Sequence, residues 1–145
     1  MGEMLRRSIV GTGLVLLCLA VLAGPAGAKK LVFKTTFSPL PPDPGGGELF
    51  ILKDSPTEYL VSSGLYSKRA ECEVRRTIRL HVIHADNTDT VIASRKTKRS
   101  GLFSFRVPLV AGEGVYASTP AKEFVAKSGK RVHCATGRTN PQYPT

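Results

Sequence analysis

The chain has 145 residues, no tryptophan, only 7% aromatic residues and just three cysteines. With 41% apolar residues, this composition suits one small globular domain and excludes a fibrous or disordered chain. After the first 28 residues, no apolar run is long enough for a second membrane span, which excludes a multi-span membrane protein. Spacings such as His-x-x-x-His and Cys-x-x-Cys are missing, so neither a metal site nor a cofactor is predicted.

Residues 1–28 have the three parts of a secretory signal peptide. Arg6 and Arg7 supply a positive start, residues 9–22 are apolar, and Ala26-Gly27-Ala28 forms a small-x-small cleavage site. The arginine pair also matches part of a twin-arginine signal, so that export route and general secretion both stay open. An uncleaved anchor is the alternative to cleavage. We predict a secreted or envelope-associated protein.

Two cysteines, Cys72 and Cys134, remain after the leader, which contains the third. An even pair in an oxidising compartment is typical of a disulfide. The alternative is two free thiols, one of them catalytic. Glu71 and Glu73 flank Cys72, and an acidic setting disfavours the thiolate that such chemistry requires. The sequence therefore predicts a structural disulfide.

Turn residues divide the mature chain into short β-prone segments without a helical period. Residues 29–47 are predicted to form an N-terminal strand and a Pro/Gly-rich linker, whose Gly45-Gly46-Gly47 is a hinge and not a phosphate-binding loop. Residues 48–138 are predicted to form the folded domain. The polar, Pro-containing residues 139–145 are expected to be a disordered tail.

Alternation of apolar and polar residues locates the clearest strands at 77–83 and 101–107, and a hairpin joins the first of them to residues 90–96. Ser62-Ser63-Gly64 predicts a bulge or a bend in an earlier strand. About seven short strands and one disulfide predict an all-β, two-sheet antiparallel sandwich. The side chains expected to face inward include Ile78, Leu80, Val82, Phe103, Phe105, Val107, Val132 and Cys134.

Several of these signals follow one another in a distinctive order between residues 59 and 138. The order is a strand with an internal glycine, Cys72, Arg76-Thr77-Ile78-Arg79-Leu80, Thr97-x-x-x-Gly101-Leu102-Phe103-Ser104-Phe105, Gly114-Val115-Tyr116-Ala117, Cys134 and Arg138. It resembles the immunoglobulin-like modules of bacterial secreted proteins related to carboxypeptidase regulatory and transthyretin-like domains. The resemblance implies an immunoglobulin/prealbumin-like sandwich. It departs from the family at Lys98-Arg99-Ser100, where an acidic residue is usual, and it implies nothing about chemistry.

Histidines and acids give no indication of an enzyme. His81 and His84 are three residues apart, so in a strand they face opposite sides and cannot share a metal ion. A loop site formed by His84, Asp86 and Asp89 is the alternative to an ordinary hairpin turn. We predict no catalytic activity.

Basic residues give the one candidate for a functional surface, because the chain carries a net charge of +10. Arg79 and Arg106 have outward parity, and several other cations cluster at a hairpin tip. Such a surface attracts polyanions, or it only keeps the sheet soluble. No aromatic residues lie between the cations, so nucleic acid is not the expected partner. The candidate binding residues are Arg75, Arg76, Arg79, Arg95, Lys96, Lys98, Arg99 and Arg106.

Together these features predict a secreted, non-catalytic β-sandwich module that binds an anionic polymer of the cell envelope through its basic face. An unidentified envelope protein is a further possible partner. The alternatives are a structural accessory domain without a tight ligand and, in third place, a small secreted hydrolase, which requires a cleft.

Overall fold

The computed structural model describes residues 29–38 and 48–145. The predicted signal peptide and most of the predicted linker lie outside the described residues. Within the described part, no helix is long and apolar enough to cross a membrane. A short 3₁₀ turn spans Ala70–Cys72. The strands are β1 (Leu31–Phe33), β2 (Thr36–Ser38), β3 (Phe50–Lys53), β4 (Tyr59–Tyr66), β5 (Thr77–Ile83), β6 (Asp89–Lys96), β7 (Leu102–Val107), β8 (Gly114–Thr119), β9 (Lys122–Val125), β10 (Arg131–Cys134) and β11 (Gly137–Arg138).

Two four-stranded sheets face each other across the main core. In the first, β4 pairs with β7 along one side and with β2 and β3 along the other. The second has the order β11-β8-β5-β6, and all its pairs are antiparallel. Alternation places Ile78 and Leu80 of β5 at 0% exposure, and Phe103 and Phe105 of β7 below 5%. The predicted all-β sandwich and its inward parity are confirmed.

A third, three-stranded sheet has the order β1-β10-β9, with β1 parallel to β10. It has its own small core, in which Phe33 and Phe124 pack against buried residues that include the disulfide. The Cys72–Cys134 disulfide joins the 3₁₀ turn to β10, so the predicted bond is confirmed. The described residues form eleven strands and not about seven. Residues 29–38 supply two of the short strands, and Gly137–Arg138 supplies the last.

Arg76 ties the third sheet to the sandwich. Its side chain is 2% exposed, and its guanidinium donates to the carbonyl oxygens of Cys72 (2.9 Å), Pro120 (2.7 Å) and Ala135 (3.0 Å). These acceptors precede β5, β9 and β11 respectively. One buried cation therefore holds three connections that would otherwise bury unpaired carbonyl groups.

The C-terminal residues pair with β8, so the predicted disordered tail is wrong. The Thr139 N–H donates to the Ala117 carbonyl at 2.9 Å, and Gln142 exchanges two backbone hydrogen bonds with Val115. The Tyr143 ring covers Gly114, where a Cβ atom would lie 2.7 Å from the ring. Polar composition hid this pairing, because it depends on backbone groups and on a glycine in the neighbouring strand.

Of the two alternatives predicted at residues 62–64, the pairing of β4 contradicts the bulge. β4 keeps a continuous register with β7, from Tyr59 opposite Val107 to Gly64 opposite Leu102. The register shift lies elsewhere, between Leu80 and His81 in the pairing of β5 with β6. β6 has few core contacts, and an edge strand of this kind tolerates an extra residue.

Glu123 on β9 fastens the start of β1 to the third sheet. Its carboxylate accepts from Lys30, and it lies 2.9 Å from Nδ1 of His133. The hydrogen bond from Lys30, followed by that from His133, lowers the pKa of Glu123 to about 2. Because the pKa is lowered on folding, this contact stabilises the sheet above pH 4.5 and is lost as the pH falls through about 2.

We therefore expect the Glu123 carboxyl carbon to titrate in NMR spectra near pH 2. Lys30→Ala removes the largest cause and should move the midpoint toward the ordinary glutamate value. Arg131→Ala is the control. Arg131 lies 3.9 Å from the carboxylate, farther away than Lys30 and His133, so its removal should change the midpoint less. A midpoint near 4.5 in the unchanged protein would contradict this contact.

Candidate anion-binding face

The cations predicted as one binding surface lie on several parts of the molecule. Arg79 and Lys96 project from the outer face of the sheet β11-β8-β5-β6, opposite Ser94 and Thr77 respectively. Arg75 is exposed just before β5, in the left-handed region at φ 52°. The exposed residues Lys98 and Arg99 lie in the turn between β6 and β7.

Arg76 does not belong to this surface, and its inclusion was wrong. The side chain is buried, and burial lowers the pKa of its guanidinium. Strand parity indicates that Arg76 faces inward, because it is an even number of residues from the inward-facing Ile78 and Leu80. The prediction assigned Arg76 to the surface because of its charge, but an arginine can be buried where carbonyl groups accept its hydrogen bonds.

Arg106 and Arg95 do not lie on the predicted face either. Arg106 points outward as predicted, but β7 belongs to the other sheet, and there Arg106 pairs with Asp54 at 3.2 Å. Arg95 stands opposite the inward-facing Ile78. Its side chain crosses the open edge of the sandwich, donating to the Ser104 carbonyl at 3.0 Å and lying 5.8 Å from the Phe105 ring centroid.

Arg138, which was not among the predicted binding residues, completes the face. On β11 it stands opposite Ser118 of β8, which in turn stands opposite Arg79 of β5. With Ser94 of β6 these residues form a line across four strands, which we call the arginine row: Ser94, Arg79, Ser118 and Arg138. Strand spacing puts the Cα atoms of the two arginines about 10 Å apart.

Arg138 acts electrostatically on Asp89 and contributes to its lowered pKa, but the two side chains are not in direct contact. Among the described residues, Arg79 and Arg138 form no ion pair within 4.0 Å. Arg138 is held in place by the ring of Tyr116, whose centroid lies 4.0 Å from the guanidinium carbon. Its hydrogen-bond donors can therefore meet an outside anion at a small further cost in side-chain entropy.

The positive charge continues from β6 toward the third sheet through Lys96 and Lys122. Burial lowers the pKa of Lys122, and the charges of Arg76 and Lys96 lower it further. Lys122 was not among the predicted binding residues. Its position relative to Lys96 depends on the direction of the chain between β8 and β9, which strand patterns do not specify.

A polar network lies beside the arginine row on the same face. The His81 ring stacks on Tyr116, with centroids 4.3 Å apart and planes 10° from parallel. His81 Nδ1 is 3.0 Å from Oδ1 of Asp89, and its Nε2 is 2.7 Å from Oγ of Ser118. The Tyr116 hydroxyl donates to the other oxygen of Asp89. That hydrogen bond is the main cause of the lowered pKa of Asp89.

His84 has a similar arrangement at the hairpin end. Its Nδ1 lies 2.9 Å from Glu113 and its Nε2 2.8 Å from the Thr90 hydroxyl. Asp86 instead accepts from the backbone and hydroxyl of Thr88, as in an ordinary turn. Within residues 29–38 and 48–145, no group of three or more metal-ligating side chains is present.

A shallow groove of about 490 Å³ lies on the outer face of the other sheet. Phe50 and Leu102 give it an apolar floor, and Lys98 lies at its rim. Neither a histidine nor a carboxylate is among its described lining residues.

Comparisons with protein-family models, with curated proteins and with solved structures find no match to this chain. The resemblance to immunoglobulin-like and transthyretin-like modules accordingly stays a prediction.

Proposed function

We propose that this protein is a secreted binding module that contacts an anionic polymer of the cell envelope through the arginine row and Lys96. The observation that carries the proposal is the pairing register, which aligns Arg79 and Arg138 on either side of Ser118. Guanidinium groups bind phosphate, sulfate and carboxylate oxygens through paired hydrogen bonds.

The shape of the face supports a polymer as the ligand. Arg79, Ser94 and Arg138 of the row are exposed on the outer face of the sheet, so the row suits an extended chain better than a small molecule. Lys96 and Lys122 extend the positive potential beyond the row, which attracts further charges of the same chain and increases the association rate. Export fits the disulfide, because such bonds persist in oxidising compartments.

The test is retention of the exported, purified protein on an isolated envelope fraction at low and at physiological salt. We expect binding at low salt that weakens by about tenfold or more at physiological salt, because binding releases counterions from the polymer and this release is less favourable at higher salt. Reversing the row with Arg79→Glu and Arg138→Glu should abolish retention.

The matched control is Lys127→Glu with Lys130→Glu, which changes the net charge equally but lies in the exposed turn between β9 and β10. Equal losses in both double variants would mean that net charge alone acts, and the arginine row would not be the site. Failure of the unchanged protein to bind at either salt would leave the structural accessory role.

A further inference from the structure

Ser118, His81 and Asp89 occupy three adjacent strands and form one continuous hydrogen-bonded line. The Ser118 hydroxyl is 2.7 Å from His81 Nε2, and His81 Nδ1 is 3.0 Å from Asp89. Strand parity places His81 and His84 on opposite faces, but it does not show which hydroxyl group each ring contacts. The line depends on the register of β8 against β5 and of β5 against β6.

The hydrogen-bond partners along this line suit nucleophilic catalysis. Asp89 has a lowered pKa, so it is ionised at neutral pH and only accepts hydrogen bonds. The tautomer of His81 that donates from Nδ1 to Asp89 leaves Nε2 as an acceptor for the Ser118 proton. That is the orientation of a general base.

Neighbouring residues hold the line rigidly. Tyr116 stacks on the His81 ring and also donates to Asp89, so it fixes both members. Arg138 covers Tyr116 in turn. Side chains on paired strands that are restrained in this way lose little entropy when a substrate binds.

We propose that Ser118 is the nucleophile of a serine–histidine–aspartate esterase site whose substrates are acyl esters on an anionic carrier. Arg79 and Arg138 stand directly opposite Ser118 on the two neighbouring strands. This register brings two cationic side chains beside Ser118, where they attract an anionic substrate and favour the negative charge that develops on the carbonyl oxygen. The preference for an anionic carrier rests on the proposed function, whereas the role of Ser118 does not.

In the first step Ser118 Oγ attacks the ester carbonyl carbon, and its proton passes to Nε2 of His81. The tetrahedral oxyanion collapses, the C–O bond to the alcohol breaks, and the alcohol leaves with the proton from Nε2. Water then attacks the acyl-serine and gives a proton to His81. Release of the carboxylic acid returns that proton to Ser118 and restores the starting state.

Turnover is expected to be slow, because the face is open and the oxyanion is met by side chains and not by a preformed pair of backbone N–H groups. The line formed by Thr90, His84 and Glu113 provides an internal comparison. Its hydroxyl is secondary, and the residue opposite Thr90 on β5 is Val82 and not an arginine. We therefore assign the nucleophile to Ser118 alone.

The test uses a fluorophosphonate probe, which modifies activated serines covalently, and p-nitrophenyl acetate as a substrate. We expect mass spectrometry to locate the phosphonyl group on Ser118, and Ser118→Ala to abolish both labelling and turnover. His81→Asn should slow both by about 100-fold, the usual effect of a general base. The matched control His84→Asn should leave both rates unchanged.

Absence of label on Ser118 in the unchanged protein, or equal esterase activity in Ser118→Ala, would overturn the proposal. Melting curves of each variant separate loss of chemistry from loss of fold, since Ser118→Ala removes one partly exposed hydroxyl. Envelope retention of the unchanged protein is measured in parallel. Labelling without retention would remove only the binding proposal, and retention without labelling would remove only the esterase site.

Discussion

Replacing Arg76 by methionine is expected to lower the free energy of unfolding by about 3–5 kcal/mol, because each buried carbonyl group left without its donor costs about 1–3 kcal/mol. Methionine has a comparable length but no donors. The carbonyl groups of Cys72, Pro120 and Ala135 would lose a charge-assisted hydrogen bond without gaining water. Because these carbonyls belong to three separate connections, the loss should separate the third sheet from the sandwich.

Urea unfolding followed by far-ultraviolet circular dichroism measures this loss. Arg79→Met is the matched control, because the same substitution on the exposed outer face should change stability by less than about 0.5 kcal/mol. Arg76→Lys keeps the charge but cannot serve all the carbonyls, so it should fall between the two. A loss below about 1 kcal/mol in Arg76→Met would show that the guanidinium is dispensable.

Removing the disulfide with Cys72→Ser and Cys134→Ser is expected to cost about 4 kcal/mol by the chain-entropy estimate for a bond of this sequence separation. The bond spans 62 residues, and both cysteines have 0% exposure. Without it the small core around Val132 and Phe124 has little apolar area with which to hold β10 in place.

Thermal melting in the presence and absence of reductant checks this expectation. Reductant should lower the midpoint of the unchanged protein to that of the double serine variant and should leave the variant unaffected. If both cysteines react with a thiol reagent in the native protein, or if the midpoints agree without reductant, the bond does not stabilise the fold.

The effects of Arg76 and of the disulfide should not add. Arg76 donates to the carbonyl of Cys72 itself and to that of Ala135, the residue after Cys134. Both changes therefore release the same connection between the 3₁₀ turn and β10. Combining them should cost less than the sum of the separate losses, by about 0.5–3 kcal/mol.

Local patterns predicted the strands well, because alternation is a property of each strand alone. It placed Ile78, Leu80 and Val82 of β5 inward, and Phe103 and Phe105 of β7 likewise. The disulfide followed from a count of cysteines. These features need no knowledge of which strands are neighbours.

The candidate site was harder to predict, because it depends on the neighbours of each strand. Outward parity is the same for Arg79 and Arg106, yet their strands belong to different sheets. Arg138 joins the row only because the two-residue strand β11 pairs with β8. Ser118 lies beside His81 because of the register of β8 against β5. Such registers are set by contacts between residues far apart in the chain, which local patterns do not contain.

The parallel pairing of β1 with β10 has a consequence for the order of assembly. Leu31 stands opposite Val132, so about 100 residues separate two strands that must meet, and the loop-closure entropy of so distant a contact slows folding. β1, the first strand of the described chain, cannot pair until β10 has been synthesised. During synthesis, the sandwich strands can pair while residues 31–33 still have no partner, and the third sheet closes only when the chain is almost complete.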